Sequence, residues 1–387
     1  MKSEIKVLYV VSLATFMRSF GQVIYSPSIV TMRNDLLTTT TMIGLTFSVY
    51  GMILAFSQVA YGPIVDRFDT KKLLIFGLGF FSIASLAGYL ANGIWLILIV
   101  RGFQAIGIAA AASVGIALIA DLFPDGKRGQ AMSIFEKFNA AGAAAGPLAG
   151  AAMAVWFSWR VDFLLLAIIS GLIMIASIWV IPALPSNSQR VGLQEMIKIF
   201  RTPQTFGAIV LGFVHFYGLY TMHTMLPIFL TEQYGLAEGK IGWLLAMLPV
   251  GVIIGSLSGG KYSDRVSSRL PILIGTGGTI ITFSLLAWMS NPTGSVPAIF
   301  FVFIMVLMSG LFMGFCLPVL IKIMVESFPV IRGTAGALQY FARFGGATVA
   351  PVLTGFLNDS LGLPAGFGSA AVFIFIGWFI GLFAIKD

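Results

Sequence analysis

Gly62-Pro63-Ile64-Val65-Asp66-Arg67-Phe68-Asp69-Thr70-Lys71-Lys72 is a short charged island between two apolar runs, and it recurs later in the chain. Gly260, Asp264, Arg265 and Arg269 stand 198 residues after Gly62, Asp66, Arg67 and Lys71. Ile43-Gly44 returns as Ile241-Gly242 at the same offset. Further on, Arg128-Gly129, Ala131, Gly142 and Pro147 return as Arg332-Gly333, Ala335, Gly346 and Pro351, displaced by 204. Two loops and a helix repeating in order indicate a chain made of two similar halves.

Outward from these islands the sequence is almost uninterrupted hydrocarbon. A helix crosses a bilayer core with about 20 apolar residues, and the apolar runs between charged or Pro/Gly-rich breaks predict spans over 7–30, 42–64, 72–92, 94–123, 131–155 and 160–181. A second set is predicted over 206–231, 239–262, 270–289, 297–327, 334–358 and 364–385. The expected fold is therefore an all-α membrane protein with twelve transmembrane helices in two pseudo-symmetric six-helix bundles. The bundles are expected at 1–181 and 205–387, joined by a linker over 182–204. In that linker Leu193, Met196, Ile197 and Phe200 share one helical face opposite Gln194, Glu195, Lys198 and Arg201, the pattern of a short helix lying on a membrane surface or of a plain linker helix.

The composition agrees. Charged residues make up 10% of the 387 and hydrophobic residues 58%, whereas a soluble domain carries about 25% charged residues. The excess of basic residues, +8 in formal charge, is spread between apolar segments and so does not read as a nucleic-acid surface. With the N-terminus inside, the outer loops hold only Arg33, Arg160 and Lys240, and the inner segments hold most of the remaining Lys and Arg. The positive-inside rule thus places both termini in the cytoplasm and the chain in the inner membrane. Lys2 and Lys6 before Val7–Phe16 resemble a signal peptide, but no small-residue cleavage site follows and the apolar run continues, so it reads as a first span. One cysteine, Cys316, excludes an intrachain disulfide framework.

The island at 62–72 resembles the signature of the major facilitator superfamily, G-x-x-x-D-[RK]-x-G-x-[RK]-[RK], with Asp69 where the family usually has Gly. The resemblance implies a transporter whose Asp66 helps to hold the cytoplasmic side shut, with Gly62, Arg67 and Lys71 in the first gating loop and Gly260, Asp264 and Arg265 in its repeat. Without the family, a carboxylate at that depth can still meet a helix terminus or an Arg, while Lys71 and Lys72 suit lipid headgroups. Arg101-Gly102-Phe103-Gln104-Ala105-Ile106-Gly107-Ile108-Ala109 looks like the family's R-x-x-Q-G-x-G-x-A motif, with Ala105 at the first Gly. Gly142, Gly146, Pro147 and Gly150 resemble the G-x-x-x-G-P-x-x-G-G signature of the antiporter branches, with Ala151 at the last Gly, which favours export over uptake. The same small residues also suit close helix packing in any span.

The polar residues inside spans are the candidates for solute and proton handling: Arg18, Arg101, Glu136, His215, His223 and Arg343. Buried cations in a membrane need a partner or a cavity. A carboxylate in the inner half of a span, such as Glu136, is a candidate proton carrier. The histidines can titrate near neutral pH or serve only as hydrogen-bonding groups. Arg18 and Arg343 fall at similar depth, and His215 is the near-counterpart of Arg18 by the 198-residue offset. These three suggest an anion-attracting level. Lys322 and Glu326, four apart, are expected to pair, and Asp162 is expected to be solvated at an outer edge.

No hydrolase triad, nucleotide-binding loop or metal cluster is present in the sequence, so no enzyme activity, cofactor or metal is expected. The leading expectation is a monomeric, proton-coupled exporter of small organic compounds, similar to the twelve-span drug:proton antiporters and in contact with membrane lipids. No Asp or Glu lies between Lys6 and Val30, which keeps open a transporter of organic anions. A membrane sensor with the same fold is the third reading.

Overall fold

The computed structural model describes residues 2–65, 68–123, 125–182, 202–291, 298–328 and 332–385. The amphipathic stretch expected at 193–201 lies outside the described residues, as do Asp66 and Arg67.

The described chain is helical throughout. The helices are α1 (Lys2–Val23), α2 (Ile29–Asp35), α3 (Thr40–Val65), α4 (Thr70–Tyr89), α5 (Ile94–Leu122), α6 (Asp125–Trp156) and α7 (Arg160–Val180). After the linker come α8 (Pro203–Tyr234), α9 (Glu238–Arg265), α10 (Arg269–Met289), α11 (Ile299–Ser327), α12 (Arg332–Leu361) and α13 (Leu363–Ala384). Eleven segments are long and apolar enough to cross a membrane among the described residues, the first of them running from Glu4 to Asp35 through α1 and α2. The remaining long helix, α12, has 30 residues, or about 45 Å at 1.5 Å per residue.

The first span is broken where the sequence dictates. Pro27 has no N–H to donate, and Ser26–Ser28 form one 3-10 turn between α1 and α2. Asp69, where the resembled signature has Gly, is the N-cap of α4 and accepts the Lys71 N–H at 2.8 Å. Asp162, expected to be solvated, is instead buried in the first turn of α7, where the helix dipole favours a carboxylate.

Two compact units are present, Met1–Leu37 with Val49–Gln189 and Thr38–Ser48 with Arg190–Asp387. The division falls inside α3, whose first residues belong with the second unit. There Asp359 of α12 accepts the N–H groups of Thr40 and Thr41 at 3.2 and 2.8 Å and the Thr41 hydroxyl at 2.6 Å, capping the start of α3.

The repeat is visible in the packing of each unit. In the first, α1 packs on α6 and α4 on α5 and α7; in the second, α8 packs on α12 and α10 on α11 and α13. Close approach is made by glycine at matching places. A Cβ on Gly77 would stand 2.5 Å from the Gly107 carbonyl, and one on Gly275 would stand 2.6 Å from the Phe312 carbonyl.

Candidate functional site

In the first unit the seam between α1 and α6 holds a polar chain of three residues. Arg18 is buried and donates from Nη2 to Asn139 Oδ1 at 2.8 Å. The same oxygen accepts the Ser19 hydroxyl. Asn139 Nδ2 then donates to Glu136 Oε2 at 3.3 Å. The amide relays a guanidinium to a carboxylate, accepting on one side and donating on the other. Glu136 is half-buried and Lys137 beside it is exposed on a different face, so the carboxylate's partner is Asn139. Asn139 and Ser19 escaped the sequence reading because neither is charged. Their signal was positional: Asn139 lies three residues from both Glu136 and Gly142, on the face that meets α1.

The same helix α1 carries a stripe of hydrogen-bonding groups. Ser12, Thr15, Ser19 and Gln22 follow at helical spacing. Ser12 Oγ, Thr15 Oγ1 and Gln22 Nε2 are buried and have no protein partner among the described residues. Groups of this kind are satisfied by water or by a ligand.

Arg101 has a different setting. Its Nη1 donates to the Gly21 carbonyl at 2.8 Å and to Gln104 Oε1 at 2.9 Å, and its Nη2 reaches the Gln22 carbonyl at 3.4 Å. These carbonyls end α1, where the intrahelical donors run out because the chain turns at Pro27. The guanidinium also lies 4.0 Å from the Tyr50 ring centre and 4.9 Å from that of Tyr25. Gln104 passes the network on to Ser85 at 2.8 Å. Arg101 therefore caps a broken span.

The second unit repeats the seam with different chemistry. Gly142 of α6 closes on the Phe16 carbonyl of α1, and Gly346 of α12 closes on the Phe213 carbonyl of α8. This register pairs Arg18 with His215 directly, one residue from the pairing that the 198-residue offset gives, and it pairs Asn139 with Arg343. Arg343 is buried, donates to the Leu317 carbonyl at 3.0 Å, and lies 5.4 Å from the ring centres of Phe216 and Tyr340. His215 Nδ1 is 2.8 Å from the Leu211 carbonyl, and its Nε2 is 3.0 Å from Cys316 Sγ. Cys316 was read from the sequence only as a lone thiol, because a contact between α8 and α11 leaves no mark in local spacing. His223, buried beside the Tyr220 ring, has an Nδ1 without a partner among the described residues.

The glycines of the antiporter-type motif are packing positions. A Cβ on Gly142 or Gly146 would run into α1 at Phe16 and Val23, and one on Gly150 into Ile24 just beyond its end, and Pro147 lies inside the helix that carries them. In the two charged islands, Gly62 lies on α3 and Asp264 on α9 by backbone, Lys71 opens α4, and Arg265 ends α9 exposed. Gly260 has open space around its Cβ position. Lys322 turns to Ser263, donating to its carbonyl at 3.0 Å and approaching its hydroxyl at 3.3 Å. Glu326 lines a cavity of about 480 Å³ with Gln204, Ser267 and Ser268. Gln204 precedes His215 by eleven residues, about 16 Å of helix, so this cavity is separate from the Arg343 cluster.

The sequence pattern described as Major Facilitator Superfamily matches residues 11–305 and 208–387. The chain is 23% identical over 385 residues to the Multidrug efflux protein YfmO of Bacillus subtilis, covering 99% of this chain and 94% of that protein. It is 25% identical over 383 residues to Multidrug resistance protein 3 of the same organism, covering 80% and 73%. Its fold is similar to the crystal structure of a bacterial homologue of the human lysosomal transporter Spinster, with a TM-score of 0.83 at 16% identity and coverage of 99% and 96%.

Proposed function

Because the chain belongs to the Major Facilitator Superfamily, and is accordingly a multi-pass membrane transporter and not an enzyme, we propose that it exports small organic compounds in exchange for protons, by alternating access. The observation that carries the reading is the Arg18–Asn139–Glu136 chain. With Glu136 ionised, its charge offsets that of Arg18 through the bridging amide, and the seam is close to neutral. Neutral or weakly cationic solutes can then use the hydrogen-bonding stripe of α1. A proton arriving on Glu136 removes that offset and adds one positive charge to the seam. The seam becomes positive, and a neutral or cationic solute is held less well. Proton entry and solute release are thereby linked at one place, as exchange requires.

The efflux names of the relatives at 23% and 25% identity agree with export. The small-residue packing of Gly142, Gly146 and Gly150 on α1 fits the same branch. The location proposed is the cell's inner membrane, with both termini cytoplasmic and the chain acting as a monomer.

A second reading is favoured by one specific observation: each repeat carries a buried guanidinium at its seam, Arg18 in one and Arg343 in the other. Transport of organic anions would use those charges directly. Purified protein in liposomes, with an internal pH dye, tests the proposal. Exchange predicts that solute added outside drives protons out of the lumen and raises the internal pH, most strongly for neutral or cationic compounds. Proton movement with anionic solutes alone selects the second reading, and binding without any solute flux selects a sensor.

A further inference from the structure

We propose that His215 and Cys316 form a proton-binding pair in the second unit, in which an arriving proton is taken on imidazole Nε2 while the thiol turns to a waiting carbonyl. The inference rests on the proton-coupled reading and adds to it a site that the Arg18 seam does not contain.

The geometry fixes the tautomer first. His215 Nδ1 lies 2.8 Å from the Leu211 carbonyl of its own helix. A carbonyl only accepts, so Nδ1 carries a hydrogen, and in the neutral ring Nε2 is bare. Cys316 Sγ stands 3.0 Å from that nitrogen and supplies its S–H. The same sulfur is 3.2 Å from the Met313 carbonyl, one turn back on α11. The thiol hydrogen thus has the imidazole nitrogen and the Met313 carbonyl within reach, with the Thr276 hydroxyl of α10 a third polar neighbour of the sulfur, and needs only to rotate about Cβ–Sγ to change between the first two.

Loading a proton therefore leaves no group unpaired. The incoming proton, delivered by water, bonds to Nε2, and no electrons are exchanged. The new N–H donates to a sulfur lone pair, and the S–H moves onto the Met313 carbonyl. Before and after, every hydrogen in the cluster has an acceptor. A buried histidine hydrogen-bonded only to another donor's fixed hydrogen would lack this second arrangement.

What changes is charge. Arg343 donates to the carbonyl of Leu317, the residue after Cys316, so an imidazolium at His215 arises beside a permanent cation. The neighbouring elements offer little to offset it. On α11, Lys322 is turned to Ser263 and Glu326 lies near the helix end. On α12, Tyr340 stacks near Arg343, and Asp359 is engaged with Thr40 and Thr41 at the far end. Helix α13 contains no titratable residue, α10, packed on α11, has Arg269 in its first turn as its one charged residue, and the charges of α9 lie in its terminal turns. On α8 itself, Tyr217 is bonded to Ser369 at 2.9 Å, His223 lies two turns on, and Glu232 is close to the C-terminus. Protonation therefore puts two like charges at the α8–α11–α12 seam, which favours a rearrangement that separates them or admits a counter-ion.

The position is also the one where the other repeat keeps a fixed cation. His215 registers with Arg18, and Arg343 with Asn139. One seam has a permanent charge on the first helix and a neutral relay on the fifth. The other has a permanent charge on the fifth and a titratable base on the first.

The sequence has a single cysteine, so the infrared S–H stretching band of the full-length protein in detergent belongs to Cys316 alone, and Cys316→Ala confirms it by removing the band. Titration from about pH 8 to about pH 2.5 spans the ordinary imidazole value near 6.5 with a wide margin below it. We expect the band to shift in a single one-proton step, to stay constant in His215→Gln, and to titrate at higher pH in Arg343→Gln, where the neighbouring cation is gone. A band that does not move across that range, or one that titrates equally in His215→Gln, overturns the proposal. Solute-driven proton flux of the wild-type chain is measured alongside. Flux with a motionless band overturns the pair and leaves the proton-coupled reading standing. A titrating band without flux upholds the pair as a proton site and removes the reading of coupling.

Discussion

Arg18 and His215 hold the same position in the two repeats, each two residues beyond a phenylalanine carbonyl, Phe16 or Phe213, that a glycine of the facing helix closes upon. The two seams share a backbone and differ in chemistry. In the first, the basic group is permanent and is relayed to a carboxylate by Asn139; in the second, it is an imidazole beside a thiol and Arg343. A duplicated scaffold can in this way keep one packing solution and carry two electrostatic ones.

That packing solution can be tested apart from transport. Gly150→Val and Gly346→Val place atoms onto the Ile24 and Phe213 carbonyls, which flexible side-chain movement cannot relieve. Overpacking of this kind costs about 1–3 kcal/mol, so the midpoint of thermal unfolding in detergent should fall clearly for both. Gly260→Ala meets nothing within 4 Å and should leave the midpoint within the ~0.5 kcal/mol scatter of surface changes. An equal effect at all three positions would remove the packing account.

Arg101→Lys keeps the charge and loses the fork. Lysine cannot hold the Gly21 carbonyl, the Gln22 carbonyl and Gln104 while lying between Tyr25 and Tyr50. The expected loss is about 1.5–3 kcal/mol, the range for hydrogen bonds to a charged group, read as unfolding of the purified protein. Unchanged stability with lost transport would instead assign Arg101 to the transport path.

Asp359→Ala removes a cap that α3 receives from another helix. Two N–H groups and the Thr41 hydroxyl lose their acceptor. The cost expected is about 0.5–2 kcal/mol, toward the lower end because the Thr41 side is open to solvent. Hydrogen exchange at Thr40 and Thr41 should accelerate in the variant, whereas unaltered exchange would show that water replaces the carboxylate without loss.

Much of this was legible in the sequence, for a definite reason. A lipid solvent forces every span to satisfy its backbone internally, so apolar runs and charged breaks mark helices directly. The predicted span 160–181 is α7, Arg160–Val180, and 270–289 is α10, Arg269–Met289. Arg18, Glu136, His215 and Arg343 stood out because charge is rare at that depth. Their partners did not. Asn139 and Cys316 are uncharged and belong to other helices, and Arg101 meets backbone carbonyls, which no residue pattern records. Offset counting between repeats was also one residue out at Arg18. The register of α8 on α12 is set by which carbonyl a glycine meets, and that is a property of packing.

Solute charge follows from the guanidinium at each seam. If anions are carried, Arg18→Gln and Arg343→Gln should each weaken an anionic ligand more than its neutral analogue. Loss of a charged hydrogen bond of about 1.5–3 kcal/mol corresponds to roughly 10- to 150-fold in Kd at 1.4 kcal/mol per decade. Equal loss for both ligands marks the arginines as structural, and preferential binding of lipophilic cations by the unmodified protein excludes the anion reading.

The most direct measurement of the central claim compares wild type with Glu136→Gln in proteoliposomes, following solute exchange and solute-driven proton movement in the same preparation. Gln keeps the acceptor that Asn139 Nδ2 uses but cannot take a proton. The account predicts that solute-for-solute exchange persists, at a raised half-saturating solute concentration because the neutral side chain leaves the seam positive, and that proton movement is lost. Proton movement that survives at the wild-type rate in Glu136→Gln would contradict the account, because the link from Arg18 through Asn139 would then end on a carboxylate that carries nothing.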